Sequence, residues 1–462
     1  MAAGRFEEAI PIYTELSRAL PNNPGLLMNL GMALHMAGQD RKAAPQFEAV
    51  LKLQPDHVPA RLFLGAALIR LGEPAKAVGP LRRVLQAEPA NQQARQMLGD
   101  AFLALERFEP AAEQFRRLAE LDPKNPQAWY GLVRSYESLS QRAFAALGKL
   151  SLESGYWLAL VAAARLTQQQ HAGAFYFYRQ ALERLPSLRG ARAALAEIYR
   201  KTGHPDWAAV EDEKERRLGP PDCTVQKMEC DFFAGRFRQM VNSAGNQKTA
   251  EAFYWRARAC NELAAGAFSR LAQLPPGPDW HELMAELHRN QGRHREAVKH
   301  WQEALKISPG ARHLERELAI SLHQSRDHQS AQTLLRVLLK GEPDSAELNY
   351  LIGDTTLSLQ QPDNAIPFLQ KAVEKDPSHL PAQASLGRAY LQAGRGQQAV
   401  PHLEAALASD EDGSLHFQLA RAYQISGQQE PARQTLEKYQ QMQRSARAER
   451  QKLEQEIQIT PP

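Results

Sequence analysis

Histidine is the side chain best suited to catalysis or metal binding near neutral pH, and His281, His288, His294 and His300 fall close together in the chain. The run His281-Glu282-Leu283-Met284-Ala285 begins like the helix of a zinc protease, where two histidines four residues apart face one metal. Ala285 stands where the second histidine is required, so the set lacks a ligand. A helical hairpin over this stretch is expected to scatter the four rings over different faces as solvated surface groups. Cys223, Cys230 and Cys260 contain no Cys-x-x-Cys pair, and an odd number at these spacings predicts reduced, partly buried thiols rather than a disulfide framework. There is no phosphate-cradling Walker loop, no Gly-x-Gly-x-x-Gly after a strand and no Gly-x-Ser-x-Gly elbow. No catalytic residue, metal or cofactor is expected, and the chain is read as a non-enzyme.

The elements that would carry these residues follow a fixed period. Alanines recur every 34 residues at Ala9, Ala43, Ala77, Ala111 and Ala145, and again at Ala297, Ala331, Ala365 and Ala399. Prolines keep the same step at Pro21, Pro55, Pro89 and Pro123, and at Pro309, Pro343 and Pro377. Glycines do so at Gly31, Gly65 and Gly99, then at Gly353 and Gly387. Within 24–57, Leu27, Leu30 and Leu34 form one helical stripe with Gly31 beside them, and Ala43, Phe47, Val50 and Leu51 form a second. Pro55 ends that second helix, because its ring carries no N–H to extend it.

This pattern resembles the tetratricopeptide repeat family, whose unit is a 34-residue helical hairpin with small residues at the helix crossings and a closing proline. The resemblance implies an all-α fold, a right-handed superhelical solenoid of such hairpins, and an interaction scaffold without chemistry of its own. On this template residues 1–221 form an N-terminal array with a half-repeat at 1–23, 222–277 are degenerate helical repeats, 278–445 form a C-terminal array, and 446–462 are a charged capping helix end with a Pro-Pro tail. The orphan helix near the start is uncomfortable for a repeat, and an upstream segment encoding its partner is expected. A longer duplication is superposed: Ala128-Trp129-Tyr130, Arg134, Leu139 and Ala143-Phe144 return as Ala252-Phe253-Tyr254, Arg258, Leu263 and Ala267-Phe268. In both copies the expected hairpin has a short second helix and lacks the usual Gly-containing turn. Neutral inheritance of a duplicated block is the favoured account of it.

Composition narrows the partners. Over 462 residues, 56 basic and 52 acidic side chains leave a formal charge of +4, so neither a basic nucleic-acid arm nor an acidic tail dominates. No repeated polar code for bases is present, and no nucleic-acid partner is expected. The longest apolar run, Tyr156 to Ala164, spans nine residues, less than half of what a membrane helix needs. Nothing after Met1 reads as an export signal, so the chain as written is cytoplasmic. A missing upstream segment would allow a periplasmic or secreted location.

By the resemblance, the concave face is lined by fixed positions of each first helix. At the N-terminal end these hold Met28, Asn29, Met32, Leu62, Phe63 and Met97, an apolar, methionine-rich set; near the C-terminal end they hold Tyr350, Asp354, Arg388 and Arg421. These ten residues are the candidate partner-binding site, with ordinary helix packing as the competing account of the apolar N-terminal set. The function expected is a scaffold gripping a protein or peptide partner there, with affinity from apolar side chains and register from charges. The alternative is a regulatory or substrate-delivering subunit of a separate enzyme or envelope-assembly machine.

Overall fold

The computed structural model describes residues 6–244, 247–456 and 458–462. Among them all regular structure is helical, with no strand. The chain divides into two compact units: one up to Leu274, which also includes Ile459–Pro462, and the other Pro275–Gln458.

The first unit contains α1 (Phe6–Ala19), α2 (Pro24–Met36), α3 (Asp40–Leu53), α4 (Val58–Arg70), α5 (Pro74–Ala87), α6 (Gln92–Ala104), α7 (Phe108–Leu121), α8 (Pro126–Leu150), α9 (Gly155–Thr167), α10 (His171–Arg184), α11 (Ala191–Lys201), α12 (Pro205–Arg217), α13 (Lys227–Phe233), α14 (Phe237–Ala244) and α15 (Ala250–Ala272). The second contains α16 (Pro278–Asn290), α17 (His294–Ile307), α18 (Arg312–Gln324), α19 (His328–Gly341), α20 (Ala346–Ser358), α21 (Pro362–Lys375), α22 (Leu380–Gln392), α23 (Gly396–Ala406), α24 (Ser414–Ile425) and α25 (Gln429–Glu456).

The three sequence rulers have distinct physical causes. A Cβ added at Gly31, Gly65, Gly99, Gly353 or Gly387 would come 2.6 or 2.7 Å from Phe47, Leu81, Phe115, Leu369 or Leu403, in each case sixteen residues further on. The glycine of the first helix is therefore the floor on which the large side chain of the second rests. The ruler alanines Ala43, Ala77, Ala111, Ala297, Ala331, Ala365 and Ala399 are completely buried at the same crossings. After every ruler proline but Pro309, where Ala311 has no capping side chain, the residue two beyond caps the next helix. Asn23, Asn91, Asn125 and Ser345 accept backbone N–H groups through side-chain oxygens, and His57 and His379 accept through Nδ1. Four residues later a side chain donates back to the proline carbonyl: Arg95 to Pro89, Trp129 to Pro123, Asn349 to Pro343 and Gln383 to Pro377. Those four loops are thus tied down at both ends.

Within each hairpin the turn uses one residue in the left-handed region, supplied by Gly38 and Gly72 in the first two repeats. Glu106, Gln169, Arg326 and Gln360 take the same conformation with φ between 54 and 66°. For a residue with a Cβ that costs about 1–2 kcal/mol, which the packing of both helices must offset.

The hairpin expected over 126–154 is not a hairpin. Residues 126–150 form one continuous helix, α8, and its duplicate α15 is likewise a single helix of 23 residues. No glycine or proline interrupts the segment between Tyr136 and Arg142, so nothing opposes helix propagation. The last step of the alanine ruler therefore fails: Ala145 is exposed and Ala143 is buried instead. The two copies lie against each other along their lengths. Small residues on α15, among them Ala257, Ala264 and Ala267, are buried there, as are Leu139, Ala143 and Leu147 of α8.

The cysteines also depart from expectation. Cys223 and Cys230 form a disulfide, with Cα atoms 5.7 Å apart. Asp222 makes this possible by accepting hydrogen bonds from the Thr224 amide at 2.9 Å and its hydroxyl at 2.6 Å. That local turn folds the chain after α12 back onto the start of α13. Cys260 is a buried thiol whose pKa burial pushes up to about 12.

Two outcomes follow from this packing. Ala365→Leu should overpack a sealed crossing and cost about 1–3 kcal/mol, read as a lower melting temperature. Hydrogen exchange should accelerate most in α20–α22 and fade with distance; a uniform rise through both units would contradict the repeat picture. Alkylation of the unreduced, denatured protein followed by peptide mapping should modify Cys260 alone. Alkylated Cys223 and Cys230 would show that the pairing does not form where the chain resides, as expected in a reducing compartment.

Candidate interaction surface

Successive first helices touch one another, α2 with α4, α4 with α6, α6 with α8 in the first unit, and α18 with α20, α20 with α22, α22 with α24 in the second. Among the described residues, successive second helices make no comparable contact. Helices that converge on one side and separate on the other give each stack an inner face built from first helices, and the ten candidate residues all belong to first helices: α2, α4 and α6 in the first unit, α20, α22 and α24 in the second.

In the first unit much of the apolar set is used for packing. Met28 is buried, and Phe63 stacks on Phe47 with ring centroids 5.7 Å apart while meeting the edge of His35 at 5.8 Å. His35 is held in turn by Asp40, its Nδ1 lying 2.5 Å from a carboxylate that also receives Arg70 at 2.9 Å. Asn29, Met32, Leu62 and Met97 are half-buried. None of the six is an exposed large apolar residue, so the expectation of an open methionine-rich groove is reduced to a partly accessible strip.

In the second unit Asp354 of α20 gathers partners from two neighbouring helices. Its carboxylate accepts from the Ser385 hydroxyl at 2.6 Å and from Arg388 at 2.8 Å, both on α22. His323 of α18 stands 3.6 Å away through Nε2, and its Nδ1 lies 2.9 Å from the Thr355 hydroxyl. Burial lowers the His323 pKa against the opposing pull of Asp354, which leaves the ring neutral at pH 7. Tyr350 packs its ring 4.7 Å from His379, and burial, reinforced by Asp354, pushes its hydroxyl up to about 12. Asp354 and Arg388 thus pair between α20 and α22, with Tyr350 one turn before Asp354 on α20. Arg421 does not join them: it is exposed two helices further on, in a groove between α24 and α25 with Phe417, Gln424 and Leu436. Sequence reasoning did not single out His323, which sits near the end of the first helix α18 and is joined to the cluster only by the stacking of α18 on α20.

The histidine cluster behaves otherwise than expected. His281, His288 and His300 come together between α16 and α17, with His281 Nδ1 3.2 Å from His300 Nδ1 and the His288 and His300 rings stacked at 5.3 Å. Trp280 meets His300 at 5.3 Å. His288 is buried and the other two are half-buried, so they are not solvated surface groups. Among the described residues no group of three or more His, Cys, Asp or Glu could hold a metal ion.

Models of the tetratricopeptide repeat match residues 37–92 and 316–379, 77–136 and 357–416, and 278–311. The chain belongs to the tetratricopeptide repeat family. A curated relative, a tetratricopeptide repeat protein 21 homolog from Caenorhabditis briggsae, is 27% identical over 161 residues, which is 32% of this chain and 12% of that protein. Among solved structures, MamA from Desulfovibrio magneticus RS-1 is 21% identical with a TM-score of 0.33, covering 36% of this chain and 96% of its own. YrrB, described as a TPR protein with an unusual peptide-binding site, is 20% identical with a TM-score of 0.32, covering 36% of this chain and 87% of its own. Repeats of this family build interaction scaffolds, and the helical hairpins described above are its unit. Among the described residues no helix is long and apolar enough to cross a membrane.

The histidines give the second unit a pH dependence with a defined sign. Burial first, then the neighbouring His288 and His281, bring the His300 pKa from 6.5 to about 4, with Lys299 acting in the same direction and Glu303 against it. The folded ring is therefore neutral where the unfolded ring already binds a proton. Stability is complete above about pH 6.5 and is lost as the pH falls toward 4. The melting temperature of the second unit should drop between pH 7 and pH 5, and His300→Gln should flatten part of that slope. His288, His323 and His402, also depressed by burial, account for the remainder. A His300→Gln slope identical to that of the native chain would refute the assignment.

Proposed function

We propose that the protein is a non-enzymatic scaffold that binds a protein or peptide partner along the inner, first-helix faces of its repeat stacks. The observation that carries this reading is the Asp354 network. Three first helices, α18, α20 and α22, place His323, Asp354, Ser385 and Arg388 in one partly exposed polar row. Such a preformed row suits recognition of a partner's backbone and charges, because its side chains are already ordered before binding. In the same reading Met32, Leu62 and Met97 supply an apolar strip to the first unit, and Phe417 with Arg421 an aromatic and cationic pair to the second. The partner would be an extended or helical segment laid across several first helices, with affinity concentrated at a few positions.

Site-specific photocrosslinkers test this directly. Placed at Met32, Met97 or Arg421, they should capture the partner, whereas placed at Lys52 or Val337 on second helices they should capture little. Arg421→Glu should weaken capture while leaving helical circular dichroism and melting unchanged, because Arg421 is exposed. Crosslinks dominated by the second-helix positions would move the site away from the inner face.

A further inference from the structure

The segment Ile459–Pro462 belongs to the first unit although hundreds of residues separate it from its neighbours there. It is seated over α11 between α10 and α12. The Tyr199 hydroxyl donates to the backbone carbonyl of Thr460 at 2.7 Å, and Arg179 Nη1 donates to the Thr460 hydroxyl at 2.8 Å. Tyr199 is only 1% exposed, and its ring is fixed edge-on by Phe175 at 5.5 Å and Trp207 at 5.6 Å. A buried phenol held this rigidly presents its one polar atom to the segment. Arg179 is steadied over the Phe175 ring at 5.9 Å. Beyond Thr460 the two prolines border a cavity of about 250 Å³ whose walls include Leu182, Leu195 and the Arg192–Glu211 pair. Ile459 and Thr460 are half-buried, while Pro461 and Pro462 remain exposed.

These contacts have the features of ligand recognition. The main-chain carbonyl is read by one donor and the side-chain hydroxyl by another, so both extended backbone and residue type are sensed. Prolines lack the N–H that would otherwise need a partner and restrict the unbound segment to extended conformations, which lowers the entropy lost on docking. The furrow lies between two second helices, apart from the inner face invoked for the scaffold function, so it stands or falls independently.

We propose that the furrow formed by α10, α11 and α12 is a docking site for an extended Ile-Thr-Pro-Pro peptide, read by Tyr199 and Arg179, and that the chain's own residues 459–462 fill it in cis. An outside segment of the same chemistry must displace the tethered one, which competes at the high effective concentration of an intramolecular ligand.

A fluorescein-labelled Gln-Ile-Thr-Pro-Pro pentapeptide, amidated at its C-terminus, tests this by fluorescence anisotropy. The native full chain should bind it at least tenfold more weakly than the full chain carrying Ile459→Asp and Thr460→Arg, in which the tethered segment is disabled. In that disabled chain, adding Tyr199→Phe or Arg179→Ala should weaken binding at least fivefold. Tyr199→Phe removes only a hydroxyl and Arg179 is exposed, so melting curves should confirm that both variants stay folded. Failure of the disabled chain to bind, or binding indifferent to both substitutions, would overturn the site. Equal binding by native and disabled chains would overturn its occupation in cis.

Discussion

The architecture depends on one recurring contact, a large side chain of the second helix seated on the bare backbone of a glycine in the first. At Gly31, Gly65, Gly99, Gly353 and Gly387 even a methyl group would overlap Phe47, Leu81, Phe115, Leu369 or Leu403. This sets how closely the two helices of a hairpin approach, and the buried alanines around it leave no room for an alternative spacing. With the hairpin pitch set, consecutive hairpins have only their remaining apolar stripes to bury, and stacking is the way to bury them. Side-chain capping at the proline loops other than the one at Pro309 then fixes where the next first helix starts.

That contact was legible in the sequence because glycine and alanine are small for a reason that repeats every 34 residues. The turns were less legible. Glu106, Gln169, Arg326 and Gln360 hold the left-handed position where Gly38 and Gly72 announce it, and a glutamate or arginine carries no sign of that conformation in its side chain. The disulfide was hidden for a different reason: the step of seven from Cys223 to Cys230 matches no pairing motif, and only the local Asp222 turn brings them together. The fused helices α8 and α15 show the opposite failure. The template imposed a hairpin on a segment whose own residues gave no reason for the chain to turn, and the exposure of Ala145 records the error.

The candidate surface was legible in position and less so in character. Family register placed Tyr350, Asp354 and Arg388 on neighbouring first helices, and Asp354 and Arg388 meet. The same register named Met28 and Phe63 as groove residues, yet one is buried and the other stacks on Phe47. A position that faces inward on an isolated helix can still be covered by the next helix, and apolar residues are the ones most stabilised by such cover. The histidines were misjudged on spacing: His281 and His288 lie seven residues apart, two helical turns and hence one face, and the antiparallel return of α17 carries His300 back to them.

Contact between first helices and separation between second helices make the two sides of a repeat stack chemically different. The converging side is a continuous strip whose side chains are shared between neighbouring repeats, as Asp354 is shared by His323, Ser385 and Arg388; it favours a long partner held by many modest contacts. Between the second helices α10 and α12 lies a furrow floored by α11, and a furrow one helix wide accommodates only a short extended segment. Such a segment has few side chains to offer, so it must be held through its main chain by donors already fixed in place. Tyr199, buried and locked between Phe175 and Trp207, is a donor of that kind. The contacts of Ile459–Pro462 fall on α10, α11 and α12, and neither Met32, Phe63, Arg388 nor Arg421 is among them, so a scaffold built this way can hold a segment of its own chain in a furrow without spending the surface on which a partner would lie.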